Sequence, residues 1–247
     1  MYNTKSIFDD IYDAINSKIE THYLLIVDAS GSMSTLVNET VSGINKQIDT
    51  IKKLDNDDNS IQSYYLTLVL FDSSIRKIYD SVHISEVNHI TEEDYNVGGM
   101  TALLDAMGES ITDLNNKLGE RIKDNSVSGV VVVITDGEEN SSSKFKGETI
   151  KSMVEELDKS ENWTFTFMGA NIDTITSAKN IGINTNNVNF ASTSRGITMV
   201  YDTLSESMES RAVNMNSRTY SKFDFIQGEL KNESSIDVDI SDTTNTK

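Results

Sequence analysis

Leu24-Leu25-Ile26-Val27-Asp28-Ala29-Ser30-Gly31-Ser32 sets an unbroken apolar run against one carboxylate and two hydroxyls at alternate positions. Apolar on both faces, the run fits a central parallel strand covered on each side. Open α/β sheets bind ligands in the crevice just beyond the carboxyl ends of their strands, which is where Asp28, Ser30 and Ser32 fall. The pattern recurs where Val130-Val131-Val132-Val133-Ile134-Thr135 runs into Asp136-Gly137-Glu138-Glu139-Asn140, so a second carboxylate stands at a second strand end. Between them, Gly98-Gly99-Met100-Thr101 leads into a helix whose Leu103, Leu104, Met107, Ile111, Leu114 and Leu118 share one face. Thr101 can serve there as helix cap or ligand.

The rest of the chain alternates strand and helix. A helix is expected over Ser34 to Leu54, a strand over Tyr64 to Phe71, and a turn at Ser73-Ser74 into an antiparallel edge strand from Ile75 to Val82. After the Val130 strand come a helix from Gly147 to Lys159, a strand from Trp163 to Met168, a helix over Asp173 to Asn180, a short strand from Val188 to Ala191 and a long helix from Arg195. This order predicts a doubly wound, mostly parallel six-stranded sheet with one antiparallel edge strand and helices on both faces. Ile7, Phe8, Ile11, Tyr12, Ile15 and Ile19 form an apolar stripe at helical spacing, so residues 1–20 read as an amphipathic N-terminal helix, 21–214 as the domain, and 215–247 as a polar, flexible tail.

At the residues quoted above the chain resembles the von Willebrand factor A (integrin I-like) domains, whose metal-ion-dependent adhesion site is written Asp-x-Ser-x-Ser, then Thr, then Asp. All five positions are present in order, as Asp28, Ser30, Ser32, Thr101 and Asp136. Phe71-Asp72, Tyr95, the run Thr135 to Asn140 and the run Trp163 to Asn171 are similar to stand-alone bacterial and phage-encoded members. The resemblance implies a Rossmann-like fold in which Ser30, Ser32 and Thr101 bind magnesium through hydroxyls. Asp28 and Asp136 hold it directly or through water, and a coordination position stays open for a partner's Asp or Glu carboxylate. Donor chemistry agrees: hard divalent cations take oxygen ligands, and zinc's preferred His and Cys are missing from the constellation. Magnesium is the expected ion, with manganese or calcium as substitutes.

The function expected is therefore a magnesium-dependent protein-protein interaction module with no catalytic residues. Two alternatives stand beside it: a structural component of a larger, phage-type assembly in which the metal only stabilises loops, and a metal-dependent phosphohydrolase. A strand ending in Asp28 resembles the nucleophile position of haloacid-dehalogenase-like phosphatases, but their general acid two residues on is here Ser30. No Gly-x-Ser-x-Gly elbow or P-loop is present.

Charge and composition narrow the field further. With 21 basic and 39 acidic residues the net charge is −18, which argues against nucleic acid as a partner because phosphate contacts need a basic face. A bound cation would invert that potential locally, and screening confines the remaining repulsion to roughly 8 Å. The partner is expected to offer one acidic residue from a neutral or basic surface. There are no cysteines, so disulfides and thiolate centres are out. No stretch reaches the ~20 apolar residues of a membrane span, and Asp9, Asp10 and Asp13 interrupt the start where a secretion signal would be basic and then apolar. A cytoplasmic protein without membrane partners is expected, in the host cytoplasm if phage-encoded. Asp55, Asp57 and Asn59 imitate a calcium loop, but Ser60 replaces its glycine and Leu66 its final Glu.

Overall fold

The computed structural model describes residues 18–58, 60–123, 125–170, 174–217, 219–222 and 225–226. Strands β1 (Ile19–Asp28), β2 (Gln62–Phe71), β3 (Ile75–His83), β4 (Val127–Thr135), β5 (Trp163–Ala170) and β6 (Asn187–Phe190) form one six-stranded sheet in the order β3-β2-β1-β4-β5-β6. All pairings are parallel except β2 with β3, the antiparallel edge expected from the Ser73-Ser74 turn. Helices α1 (Val37–Asp55), α2 (Leu103–Leu118), α3 (Gly147–Leu157), α4 (Thr174–Asn180) and α5 (Ser194–Asn216) complete it.

Strand alternation explains the two-sided apolar runs. Tyr23, Leu25 and Val27 of β1 join Val130, Val132 and Ile134 of β4 in one buried cluster with Ile44, Ile48 and Ile51 of α1 and Val200, Leu204 and Met208 of α5. Leu24, Ile26, Val131 and Val133 point the other way, into a second cluster with Leu103, Met107 and Ile111 of α2, and Ile150 and Val154 of α3. Each fully buried Leu, Ile or Val contributes about 1.5–3 kcal/mol. Because β1 is covered on both faces, a one-residue slip would not simply exchange core for solvent; register is held instead by ten parallel pairings with β2 and eight with β4.

Boundaries moved in several places. A single 3₁₀ turn at Gly31–Thr35 precedes α1, so that helix starts at Val37, later than the expected Ser34. Ile19 and Glu20 belong to β1 and not to a leading helix; the rest of the expected helix, residues 1–17, lies outside the described residues. Packing also continues past 214. Helix α5 runs to Asn216, and Lys222, Phe225 and Ile226 are buried, with Lys222 Nζ donating to the carbonyl of Ser160 at 3.1 Å and to that of Asp158. A short cluster of Tyr220, Phe223, Phe225 and Ile226 carries the apolar signal here, without the periodicity of a regular element. The remainder of the expected tail, 227–247, lies outside the described residues.

At the amino ends of the strands, the buried guanidinium of Arg211 ties α5 to the sheet. It donates to Thr21 Oγ1 and Gln62 Oε1, both at 3.2 Å, and to Ser128 Oγ at 2.8 Å, and it lies 4.9 Å from the Tyr220 ring centroid. Arg211 thus anchors the end of α5 opposite Asp28, while Gln47 Nε2 of α1 holds the middle of the helix by donating to the Tyr201 carbonyl at 2.9 Å.

Candidate metal centre

Strand order reverses between β1 and β4: from β1 the chain moves outward to β2 and β3, from β4 outward to β5 and β6. Such a switch point leaves a crevice at the carboxyl ends of the two central strands. Asp28 ends β1 and Asp136 directly follows β4, so both carboxylates stand at its mouth.

All five residues expected from the sequence gather there. Asp28, Ser30, Thr101 and Asp136 are buried and Ser32 is exposed, which leaves one hydroxyl facing outward. Ser30 Oγ lies 3.1 Å from Ser32 Oγ, and Ser32 Oγ donates to Asp136 Oδ1 at 2.6 Å. Thr101 closes the set through Gly137: a Cβ at that glycine would lie 3.2 Å from Thr101 Oγ1, 3.5 Å from Ser32 Oγ and 3.7 Å from Asp28 Oδ2. Three oxygens from two loops, with Gly137 on a third, therefore surround one small space that the missing side chain keeps clear. The donor set and this clear space fit a hard, oxygen-seeking divalent cation. Among the described residues there is no cluster of three or more His, Cys, Asp or Glu suited to a metal, so a cation here would depend on the hydroxyls as well as the two carboxylates.

The supporting contacts orient these groups. The Asp28 carboxylate accepts from Ser30 N at 2.7 Å and from Thr135 Oγ1 at 2.5 Å, while the Tyr95 hydroxyl donates to the Asp28 carbonyl. Burial pushes the Asp28 carboxyl above its ordinary range, and the nearby Asp136 charge adds to this; the bonds from Thr135 and Ser30 oppose it. Asp28 thus stands in a setting short of compensating positive charge, which a cation would supply. Asp136 is further held by Ser192 Oγ, donating to Oδ2 at 3.1 Å.

Thr101 is not the helix cap. Glu139 fills that role from the β4 loop, its Oε2 accepting from Leu104 N at 2.9 Å, and Asn140 brackets Thr101 by accepting from its N–H at 2.8 Å and donating its own N–H to its carbonyl at 3.0 Å. Asp105 accepts backbone N–H groups from Ser143, Lys144 and Phe145, which holds its carboxyl below the usual range against the opposing effect of its burial, and fastens the same loop to α2. Ser192, Asn140, Glu139 and Asp105 were not assigned these tasks from the sequence; only the local pattern of acidic and hydroxyl residues from Asp136 to Ser143 hinted at a dense turn. Gly99 adopts φ +69°, and a Cβ there would come within 2.8 Å of Ser73 Oγ, the group that accepts from Met100 N at 2.8 Å. Asp72 proves to be a turn cap, accepting from Ser74 N at 2.7 Å and Ser74 Oγ at 2.8 Å.

No protein-family model matches the sequence, and comparison with curated proteins finds no match. Solved structures do match in fold. A von Willebrand factor type A protein from Catenulispora acidiphila superposes with a TM-score of 0.52 at 14% identity, covering 79% of this chain and 43% of that one. The PilB minor pilin of Streptococcus sanguinis gives 0.55 at 13%, covering 85% and 64%. The pilus adhesin SpaC of Lactobacillus rhamnosus GG gives 0.56 at 10%, covering 78% and 31%. The fold is thus von Willebrand factor A-like. The chain spans less than two thirds of the length of each of these three proteins.

Proposed function

We propose that this chain is a divalent-cation-dependent protein-interaction module. Ser30, Ser32 and Thr101 would hold a magnesium ion through hydroxyls, with Asp28 and Asp136 binding directly or through water. When bound, the ion supplies a positive charge able to accept a carboxylate oxygen from a partner's Asp or Glu. The observation that carries this reading is the convergence of Asp28, Ser32 and Thr101 oxygens on the one space opposite Gly137.

Recognition fits better than catalysis. The acid position two residues after Asp28 is Ser30, and each histidine is engaged elsewhere: His22 with Glu20 at 3.1 Å, His83 with Ser85 at 2.8 Å and His89 with Asp49 at 2.8 Å. An ion held here would therefore act as an electrophile with no imidazole base beside it. Among the described residues no helix is long and apolar enough to cross a membrane, so nothing in them argues for a bilayer as the partner.

Titration calorimetry with magnesium chloride tests the reading. Wild type should bind one ion per chain, Ser32→Ala should lose at least tenfold in affinity while keeping its circular dichroism spectrum, and partner binding should collapse in EDTA. Absence of magnesium binding by wild type would refute it, and partner binding indifferent to EDTA would favour a structural component whose ion only steadies the loops.

A further inference from the structure

A cavity of about 200 Å³ opens beside the oxygen cluster, between the start of α2, the β4 loop, the end of β5 and α4. Leu103, Leu104, Phe167 and Ile181 form its apolar walls, and Gly137 and Glu138 stand at its mouth. Gly137 also faces Thr101, Ser32 and Asp28, so one residue borders both the cavity and the cluster. Thr135 does the same, lining the cavity while its hydroxyl donates to Asp28.

Size and charge select the occupant. Pockets for drug-sized ligands run from ~300 to 1,000 Å³, and this one falls below that range, suiting a single large side chain. At the mouth, the Glu139 carboxylate is consumed by the N–H groups of Leu104, Ser141 and Ser142 and by the Ser142 hydroxyl. Glu138 is exposed and carries its charge to the rim of a chain whose net charge is −18. A partner reaching this place gains from a basic neighbour.

We propose that the cavity takes a large aliphatic or phenyl side chain from a linear partner segment, next to the Asp or Glu that reaches the cation cluster, with a Lys or Arg beside it meeting Glu138. The inference rests on the metal-dependent reading above and adds to it the sequence that the partner must carry: acidic, apolar and basic residues in close succession. Metal and carboxylate then confer cation dependence, while the cavity confers choice among acidic segments.

Random-peptide phage display on the full chain, bound in magnesium and eluted with EDTA, tests it alongside Gly147→Phe. Gly147 lines the cavity, a Cβ there would meet nothing within 4 Å, and the residue lies outside the oxygen cluster. Ser177→Phe, from the α4 side, is the second blocking variant. Wild type should yield peptides pairing Asp or Glu with a nearby Leu, Ile, Met or Phe and a Lys or Arg. Both variants should still yield EDTA-eluted acidic peptides, without the apolar preference. A selected peptide should lose about 10- to 100-fold in affinity when its apolar residue becomes Ala or when the cavity is filled. Acidic peptides with random neighbours, or unchanged selection by a folded blocking variant, would overturn this inference and leave the metal reading intact. No EDTA-eluted acidic peptide from wild type would overturn both.

Discussion

Replacing Gly137 by Ala separates the cation site from the fold that carries it. The new methyl would lie 3.2 Å from Thr101 Oγ1, 3.5 Å from Ser32 Oγ and 3.7 Å from Asp28 Oδ2. Two of these are ordinary van der Waals contacts and one is tight, and Gly137 is not among the glycines with positive φ. An alanine at a compatible backbone position stabilises by about 0.4–1 kcal/mol through the unfolded chain, which roughly offsets a few tenths of an ångström of crowding at Thr101. The metal-free variant should therefore unfold within about 1 kcal/mol of wild type. Magnesium sits ~2.1 Å from its oxygens, so the same space cannot hold both an ion and a methyl group. At a magnesium concentration one hundred times its dissociation constant, wild type gains ~2.7 kcal/mol, or about 5–10 °C in melting temperature for a domain of this size. The variant should gain less than ~1 °C. Melting curves in EDTA and in saturating magnesium provide the assay. A variant that keeps the full magnesium shift would show that the clear space opposite Gly137 is not where a cation binds.

Three further perturbations test other parts of the argument. Because the Asp28 carboxyl is raised above its ordinary value of 3.8 in the folded chain, it adds stability below that pH and loses it as pH rises through the raised value. In EDTA, Asp28→Asn should therefore flatten the decline of stability above pH 3.8, and it should also remove the magnesium response; urea titrations across pH would show an unchanged slope if the reasoning is wrong. Gly43→Ala would bring a Cβ to 2.0 Å from Tyr201 Cδ2 where α1 crosses α5, so despite about 1 kcal/mol of better helix propensity it should cost a net 1–2 kcal/mol by urea unfolding, and a neutral result would mean that the helices separate easily. Arg211→Ala removes three donors from Thr21, Gln62 and Ser128 and should cost about 3 kcal/mol while leaving magnesium affinity within twofold; coupled loss of affinity would contradict the separation of the two ends of the sheet.

Local sequence carried much of the architecture because burial on both faces leaves a continuous apolar signature. Leu24 to Val27 and Val130 to Ile134 could hardly be anything other than central strands, and polar groups crowded at their ends marked one side of the sheet. The β3 edge was legible for the opposite reason, since its half-exposed residues follow a short serine turn. Less was readable where meaning depends on distant partners. That Asp72 is a turn cap shows only in its bonds to Ser74. Thr101 offered ligand or helix cap, and the decision lies with Glu139, which accepts from Leu104 N across 35 residues of sequence. Phe225 and Ile226 sit in a short aromatic cluster with no regular period, so the sequence does not announce that they return to the core.

The candidate site itself divides along the same line. Its five oxygen-bearing side chains follow a spacing that can be read from the chain, whereas the groups that aim them come from wherever the crevice walls meet. Thr135 reaches Asp28 across neighbouring strands, Ser192 reaches Asp136 from just before α5, and Asn140 grips Thr101 by both backbone groups. The consequence is that the contacts of Asp136 couple two loops. Its Oδ1 meets the exposed Ser32, and its Oδ2 meets Ser192 at the entrance to α5, whose far end is fixed by buried Arg211. A cation that draws Asp136 away from Ser192 must therefore break or rearrange a hydrogen bond at the start of α5, while the opposite end of that helix stays anchored. Structural response to a bound ion should accordingly be confined to residues 192–197, with amide exchange near Arg211 unchanged.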